Sequence, residues 1–356
     1  MQIENSCDNL VVMTLPGAVT IFNQRRKDMM KKYEFTVFGT ATTVKVFKFK
    51  EFPQPGVTTP ISNTNFDKLY YGGKAWNIAY NMIKLGVPVY PVLAYSDDRM
   101  QDEIHRVNAE YGTPVDAVFK SPKGEYDYLT CYMLEDENKN HITIGGYHSS
   151  EGHVDLRKLV AEHIPLRPEF LSDSRMAVLT CPKAGDLMPM YEAIKESGLP
   201  MVLSMSQDAS VFNKENLEPI LRDTAILFAN ESEVEWINEM YGYTDITDLF
   251  KFGKAEIIVK TLGIRGCIVY EKKCGEAVET TVPITDNAAG NVNAIGAGDA
   301  FVAGFLYGLS KGKDPVTAAQ YGSTEASFII EDYGSVTRAP SEEELLERNR
   351  QRPDAK

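Results

Sequence analysis

The residues best suited to chemistry lie in one short stretch, Gly296-Ala297-Gly298-Asp299, directly before a segment of helical character. Glycine permits positive φ and close backbone approach, so successive N–H groups at such a helix start can converge on an anion. The turn would then stabilise charge on a transferred phosphoryl group. A carboxylate beside it repels phosphate, but it can remove a proton from an attacking hydroxyl. The pattern therefore predicts phosphoryl transfer to an alcohol, with Asp299 as the base.

Other interpretations of this stretch have to be weighed. An acid in the first turn of a helix is common because it complements the helix dipole, so Asp299 also fits a purely structural role. A dinucleotide fingerprint needs a third glycine, and Phe301 stands in its place. A Walker A motif is absent, because Gly73-Lys74 is followed by Ala75 rather than Ser or Thr. The motif alone leaves catalysis and a plain helix start as alternatives.

The elements that would position this turn alternate between strands and helices. Residues 33–39 read as a first strand, and a glycine turn followed by a helix covers residues 71–86. From about residue 175, short apolar runs alternate with helical stretches, and the last two helices are predicted at 298–309 and 315–331. Such alternation predicts an α/β fold, a doubly wound and mainly parallel sheet with helices on both faces.

Two segments break this rhythm and predict a small β-sheet lid. Residues 43–52 alternate apolar and Lys side chains, and residues 127–146 read as two strands joined by a polar turn. The first thirty residues have a charge order opposite to that of a secretory signal, so we expect the folded protein to start near Met29 or Met30. The predicted organisation is an extension at 1–32 that is not part of the fold, a core domain at 33–340 with lid strands around 42–72 and 115–146, and a polar C-terminal tail at 341–356, which reads as a helix and tail with a solvated face.

Composition excludes several classes of protein. The chain has 37 Lys and Arg against 50 Asp and Glu, a net charge of −13, which argues against a general nucleic-acid binder. There are five cysteines and no CxxC pair, so we expect a reducing, cytoplasmic environment rather than a disulfide framework. Apolar runs stay shorter than the roughly 18 residues that a membrane span needs, which predicts no membrane partner.

Four short motifs, in this order, resemble those of the ribokinase-like (PfkB) carbohydrate and nucleoside kinases. Each is weak or moderate alone, but their order and spacing make the set specific, and together they cover about residues 33–340. The motifs are Gly72-Gly73-Lys74-Ala75-Trp76-Asn77, Asn230-Glu231-Ser232-Glu233, Thr261-Leu262-Gly263-Ile264-Arg265-Gly266 and Gly296-Ala297-Gly298-Asp299-Ala300-Phe301.

The resemblance implies a role for each matching residue. Asp299 would be the catalytic base, and Gly296, Ala297 and Gly298 would give N–H groups to the phosphoryl group. Gly72, Gly73, Lys74 and Asn77 would bind the acceptor, with Asn77 hydrogen-bonding its hydroxyls. Asn230, Thr261, Gly263, Gly266 and Ser323 would bind ATP, and Glu233 would hold hydrated Mg²⁺ through water.

Structural alternatives remain for these residues. Asn230 and Glu233 have the form of a capping box at a helix start, a role compatible with metal binding nearby. Lys74 fits either a contact with a ligand anion or a solvated surface position. His148 and His153 are five residues apart, which favours a polar loop over a metal site.

The chain departs from the family pattern at two places. Asn293-Ala294-Ile295 stands where the family usually has an Asp–Thr pair that shapes a monovalent-cation site, which puts potassium activation in doubt. Most sugar kinases of this type have an Asp after the first strand that grips sugar hydroxyls, and Val44 or a neutral neighbour stands here. Loss of those charged hydrogen bonds would cost sugar affinity, roughly 1.5–3 kcal/mol.

The predicted function is therefore ATP-dependent phosphorylation of a hydroxyl on a sugar or sugar-like small molecule. A nucleoside kinase of the same family is the first alternative, and a ligand-binding relative without turnover is the second. Aromatic residues near the lid would stack on the acceptor, pack the lid against the core or form a homodimer interface through the lid. These aromatic residues are Phe47, Phe49, Trp76, Tyr128 and Tyr132.

Overall fold

A nine-stranded sheet forms the centre of the protein, in a computed structural model that describes residues 31–120, 128–138, 140–150, 152, 164–182, 184–287 and 293–354. Its strand order is β13-β12-β11-β10-β9-β8-β1-β4-β5. The strands are β1 (Tyr33–Thr40), β4 (Val89–Tyr95), β5 (Val118–Lys120), β8 (Ser174–Leu179), β9 (Met201–Ser204), β10 (Thr224–Asn230), β11 (Ile257–Thr261), β12 (Cys267–Lys273) and β13 (Glu276–Val282). Pairing is parallel from β5 to β11 and antiparallel for β12 and β13.

Ten α-helices flank the sheets within the described ranges. They are α1 (Lys74–Lys84), α2 (Asp98–Tyr111), α3 (Glu169–Ser172), α4 (Ala184–Ser197), α5 (Lys214–Asp223), α6 (Glu231–Tyr241), α7 (Leu249–Phe252), α8 (Ala297–Ser310), α9 (Pro315–Ile329) and α10 (Glu342–Arg350). In that part of the chain, none of them is both long and apolar enough to cross a membrane.

The inner strands β1, β4 and β8 to β11 bury side chains on both faces because helices cover both, whereas most residues of the edge strands β5 and β13 are half-buried or exposed. On β10, Ile226 and Phe228 join one hydrophobic cluster, whereas Leu227 joins the cluster on the opposite face. The first cluster contains α1, α2, α8 and α9, and the second contains α4, α5 and α6. This is the expected result for a parallel sheet covered on both sides, and it confirms the predicted α/β doubly wound class.

A separate four-stranded sheet has the order β3-β2-β6-β7. Its strands are β2 (Thr42–Lys48), β3 (Tyr70–Gly72), β6 (Tyr128–Glu135) and β7 (His141–His148), and only the β2–β6 pair is parallel. Val44, Val46 and Tyr70 pack against Ile295, which precedes the glycine turn of α8. This small sheet therefore covers the region that the sequence analysis assigns to catalysis.

Two details differ from the sequence-based ranges. The second lid range begins at 115, but Val118–Lys120 pairs with β4 in the large sheet. The polar segment after residue 341 forms the helix α10, as its sequence predicts, but the helix is not simply solvated, because Leu345 is fully buried in the core beside α9. The proposed extension at 1–32 lies outside the described residues except for its last two.

Candidate active site

The turn that carries Asp299 begins α8. Gly296 is the N-cap residue, with φ of 83°, a left-handed conformation that favours glycine. A Cβ atom on Gly296 would lie 2.4 Å from Cβ of Ser335, so the position is closed to other side chains. Gly296 has no side chain to cap the helix, and the Ala297 amide makes a long bond of 3.3 Å to the carbonyl oxygen of Ala294, so the N–H groups that follow it in the first turn of α8 stay available to an anion.

Asp299 is brought together with two residues of the first motif. Lys74 Nζ lies 3.1 Å from Asp299 Oδ1, and Asn77 Nδ2 donates to Asp299 Oδ2 at 2.7 Å. The Asp299 side chain keeps 13% of its surface exposed, so the carboxylate is held in place yet open on one side. Burial lowers the pKa of the Lys74 ammonium, but the carboxylates of Asp299 and Glu233 outweigh burial and leave this pKa raised. Lys74 is therefore charged and paired rather than solvated.

The glycine pair of the first motif allows three segments to meet. Gly73 is the N-cap of α1 with φ of 96°, and a Cβ there would lie 2.6 Å from the carbonyl oxygen of Thr40. A Cβ on Gly72 would lie 2.8 Å from Cγ2 of Val44. These contacts bring the end of β1, the start of β2 and the start of α1 close to Asn77.

Ser335 is a site residue that the sequence analysis missed. Its hydroxyl donates to Asn77 Oδ1 at 2.7 Å, with the carbonyl oxygen of Tyr71 at 3.2 Å, and Ser335 is 3% exposed. Because Oδ1 of Asn77 accepts this bond, its Nδ2 faces Asp299. Ser335 belongs to none of the four motifs, and the Gly334-Ser335 pair indicates only a turn.

The second motif forms a capping box, the structural alternative to nucleotide and metal binding by Asn230 and Glu233. Asn230 Oδ1 accepts from the Glu233 amide at 2.9 Å, and Glu233 Oε2 accepts from the Asn230 amide at 2.7 Å. Burial raises the pKa of Glu233, which is 7% exposed and lies near both Lys74 and Asp299. In the described part of the chain, no three His, Cys, Asp or Glu residues group as they would around a bound metal ion. A carboxylate such as Glu233 suits Mg²⁺ that keeps most of its water ligands.

The predicted nucleotide residues lie at the carboxyl ends of neighbouring strands. Asn230 and Thr261 are paired across β10 and β11. Gly263 and Gly266 follow with φ of 58° and 85°, and a Cβ on Gly266 would lie 2.1 Å from the carbonyl oxygen of Val282. Ligands of open parallel sheets bind at this edge, outside the carboxyl ends of the strands.

Ser323 of α9 contacts the segment that follows β13, at the same edge of the sheet. Its hydroxyl oxygen accepts from the Thr285 amide at 2.8 Å, and Ser323 is 7% exposed. Thr285 follows Val282 and Pro283, the residues on which Gly266 packs. Ser323 and Gly266, which are distant in sequence, therefore meet at one short segment.

The structure supplies a different carboxylate near Val44, where the chain lacks the Asp that grips sugar hydroxyls in most sugar kinases of the family. Val44 is buried, and the hydroxyl of neighbouring Thr43 donates to Asp97 Oδ2 at 2.9 Å. Burial raises the pKa of Asp97, but hydrogen bonds from Arg99 and Thr43 outweigh it and hold this pKa below its usual value. Asp97 caps α2 and was not singled out from the sequence, because an Asp before a helix is usually a cap.

Asn293, which stands where the family usually has an Asp–Thr pair, connects its own segment to the segment from Ile330 to Asp332. The Asn293 side-chain amide donates to the carbonyl oxygen of Asp332, and its backbone amide lies 3.4 Å from the carbonyl oxygen of Ile330. Next to it, the Ala294 amide donates to Glu135 Oε2 at 3.0 Å, which ties β6 of the small sheet to the segment before the glycine turn.

Most of the aromatic residues near the lid pack within the protein. Trp76 is 1% exposed and lies against Tyr80, with ring centroids 5.6 Å apart. Phe47 lies 6.4 Å from Phe66 and 6.0 Å from Tyr132, again between ring centroids. Phe49 is buried too. The side chain of Tyr128 lies outside the described residues, and so does His153, whereas the ring of His148 is hydrogen-bonded to the Tyr132 hydroxyl.

Comparison with known proteins agrees with this geometry. Residues 50–342 match the family described as pfkB family carbohydrate kinase. A nucleoside kinase of Methanocaldococcus jannaschii is 26% identical over 320 residues, covering 89% of this chain and 97% of the relative. A crystal structure of the nucleoside kinase of that organism has a TM-score of 0.73 at 21% identity, covering 91% of this chain and 100% of that one.

A further relative and a further solved structure differ from each other in the acceptor that their names give. A 5-dehydro-2-deoxygluconokinase of Listeria innocua is 26% identical over 297 residues, covering 80% of this chain and 88% of the relative. The Burkholderia thailandensis nucleoside kinase, solved in complex with ADP-inosine, has a TM-score of 0.71 at 19% identity, with 88% and 94% of the two chains covered.

Proposed function

We propose that this chain, which belongs to the pfkB family of carbohydrate kinases, transfers the γ-phosphoryl group of ATP to a hydroxyl of a sugar or sugar-like acceptor. Family membership makes it a phosphotransferase that acts on an alcohol, which argues against the alternative of a binding protein without turnover. What we propose is the class of acceptor and the role of each site residue. The observation that carries it is Asp299, held by Lys74 and Asn77 at the start of α8.

The reaction follows from the arrangement of three groups. Asp299 accepts the proton of the acceptor hydroxyl as its oxygen attacks the γ-phosphorus and the bond to the β-phosphate oxygen breaks. The Asn77 amide holds one carboxylate oxygen in position, and the Lys74 ammonium pairs with the other. As Asp299 takes up the proton its negative charge is lost, so the Lys74 charge can offset the negative charge on the phosphoryl group. Amides of Gly296, Ala297 and Gly298 stabilise the transferring phosphoryl group because they are fixed before reaction begins.

The nucleotide is proposed to bind along the carboxyl ends of β10 and β11. Its recognition is assigned to residues that the structure brings to this edge, namely Asn230, Thr261, Gly263, Gly266 and Ser323. Glu233 would hold hydrated Mg²⁺ through water, and that ion would neutralise phosphate charge when bound. The buried Glu233 carboxylate beside Lys74 supports this assignment, since each would face the phosphates.

A nucleoside is the second candidate acceptor. The Methanocaldococcus jannaschii relative, a nucleoside kinase, matches over 97% of its length, and the Listeria innocua relative matches over 88% of its length. The missing carboxylate at Val44 weakens the case for a simple ribose-like or fructose-like sugar. Asp97 lies one hydrogen bond away through Thr43, and it supplies a charged group on the same side of the site.

The small sheet is proposed to act as a lid that excludes water from the acceptor. Its other face carries apolar side chains, with Phe66, Ile142 and Ile144 each more than two-fifths exposed. We infer that this face is the interface of a homodimer, and that the protein works in the cytoplasm on a small molecule.

An ADP-release assay with ATP, Mg²⁺ and matched sugars and nucleosides tests the function. We expect one acceptor class to be phosphorylated, and Asp299→Asn to lower kcat by about 10²–10⁴-fold, because a positioned base contributes that much. Asp98→Asn is the matched control: Asp98 also lies in a first helical turn, but its side chain is 70% exposed. Retention of transfer by Asp299→Asn at close to the wild-type rate would refute the assigned base.

A further inference from the structure

Arg352 is a buried cation in the segment that follows α10. Its side chain is 1% exposed, although the surrounding sequence, 341–356, is strongly polar. A buried guanidinium is costly unless its charge is paired and its N–H groups are bonded. The contacts that satisfy Arg352 therefore identify what this part of the chain holds together.

Those contacts reach the segment from Pro283 to Thr285. Arg352 Nη2 donates to the carbonyl oxygen of Pro283 at 3.0 Å, and Nη1 donates to Thr285 Oγ1. The remaining side of the guanidinium forms a two-bond pair with Asp354, with Nε–Oδ1 and Nη2–Oδ2 both 2.9 Å. The planar fork thus fixes both ends of a three-residue segment at once.

Neighbouring residues of the same segment add to this network. Asn349, near the end of α10, accepts from the Thr324 hydroxyl at 2.9 Å. Thr324 in turn lies 3.1 Å from Thr285 Oγ1, between hydroxyl oxygens. The Gln320 side chain donates to the carbonyl oxygen of Asp354. The chain from 349 to 354 is therefore bonded to both α9 and the segment after β13.

The segment from Pro283 to Thr285 also meets two of the residues assigned to ATP. Gly266 packs against Val282 and Pro283 so closely that a Cβ would overlap them. Ser323 accepts from the Thr285 amide, and its hydroxyl lies 3.3 Å from the Pro283 carbonyl oxygen. One side of the segment thus faces the proposed nucleotide residues, and Arg352 holds it from another side.

We propose that Arg352 is a positioning residue of the nucleotide site, which fixes the Pro283–Thr285 segment so that Gly266 and Ser323 keep the spacing that ATP requires. The inference rests on the proposed function, because it takes the nucleotide site to lie at these residues. It assigns the C-terminal segment a role in the affinity for ATP and none in the affinity for the acceptor. The affinity for ATP is then higher because the Pro283–Thr285 segment is ordered before the nucleotide arrives.

Steady-state kinetics of Arg352→Met and Arg352→Lys test the proposal. We expect the KM for ATP to rise about fivefold or more in both variants. Without the Arg352 contacts the Pro283–Thr285 segment is mobile, and it must be ordered when ATP binds. We expect kcat and the KM for the acceptor to stay within about twofold, since the Asp299 end of the site is untouched. Lysine keeps the charge but lacks the fork, so it separates the geometry of the contact from its charge.

Arg350→Met is the matched control. Arg350 lies two residues earlier, its side chain is 69% exposed, and it pairs with exposed Glu347. Its kinetics should equal those of the wild type. If Arg352→Met fails to fold, Asp354→Asn provides the same test, because Asp354 is the 32%-exposed partner of the guanidinium.

Two results would overturn the proposal. One is an unchanged KM for ATP in folded Arg352 variants, and the other is an equal loss in all kinetic parameters, as expected for a general structural role. Calorimetric titration with ADP separates this inference from the proposed function. Failure of the wild-type protein to bind ADP would overturn both, whereas equal ADP affinity in the wild type and Arg352→Met would overturn the inference alone.

Discussion

Ser335→Ala tests whether the orientation of Asn77 controls the reaction. The substitution removes one hydroxyl and keeps the backbone contact of Ser335 with Gly296. Asn77 Oδ1 would lose the donor that lies 2.7 Å away, within a residue that is 6% exposed. Without that donor, the bond to Asp299 is the hydrogen bond that remains to the Asn77 side chain among the described residues.

The size of the expected effect follows from the burial of Asn77 Oδ1, which accepts the hydrogen bond from Ser335. A buried acceptor left without its hydrogen bond costs about 1–3 kcal/mol of stability. If about 1.4 kcal/mol of this loss reaches the transition state, the rate falls about tenfold. We therefore expect kcat/KM for the acceptor to fall about tenfold, while the KM for ATP stays within about twofold because the nucleotide residues are untouched.

The assay compares kcat/KM for the acceptor with the free energy of unfolding in urea. Ser341→Ala is the control, because Ser341 caps α10 and its loss costs about 1 kcal/mol of stability with no contact to the site. If Ser335→Ala loses as much stability as Ser341→Ala but keeps the wild-type kcat/KM for the acceptor, the orientation of Asn77 does not control the reaction.

Three further predictions concern other residues. Gly298→Ala should fold normally, because a Cβ there meets nothing within 4 Å, yet it should lower kcat by narrowing the space for the phosphoryl group. Replacing K⁺ with Na⁺ should leave the rate unchanged, because the Asn293 amide already joins its loop to Asp332. Glu325→Gln should raise the free energy of unfolding at pH 8, because Glu325 is fully buried and neither of its carboxylate oxygens has a hydrogen-bond partner among the described residues. Burial raises the pKa of Glu325 well above 4.5, so the wild type loses stability as pH rises beyond 4.5, and the advantage of Gln should shrink towards pH 5 in urea titrations.

The glycine turn at the start of α8 could be predicted because its signals are local. Glycines at positions with positive φ, an acid at a helix start and a following apolar run identify α8 within one residue at each end. The prediction of a strand over 43–52 was too long, since β2 ends at Lys48. There Asn63 accepts from the Lys48 amide and donates to the Val46 carbonyl oxygen, so side-chain bonds take the place of strand pairing at one edge of β2.

The residues that support the turn could not be predicted in the same way. Ser335 is 258 positions from Asn77, and Arg352 is 69 positions from Pro283. No periodicity or spacing connects such pairs, because the contact exists only after α9 and α10 have packed. The residues proposed to act directly were visible in the sequence, whereas those that contact and position them became visible only in the fold.

The position of β1 has a consequence for synthesis of the protein. This strand is made early, but it pairs with β8, where Tyr33 meets Ser174, 141 residues later. At about 5–20 residues per second, a ribosome needs roughly 7–28 s to supply that partner. During this interval the apolar strand with Phe35, Val37 and Phe38 keeps one open edge, which is the kind of surface that chaperones shield and that nascent chains use to aggregate.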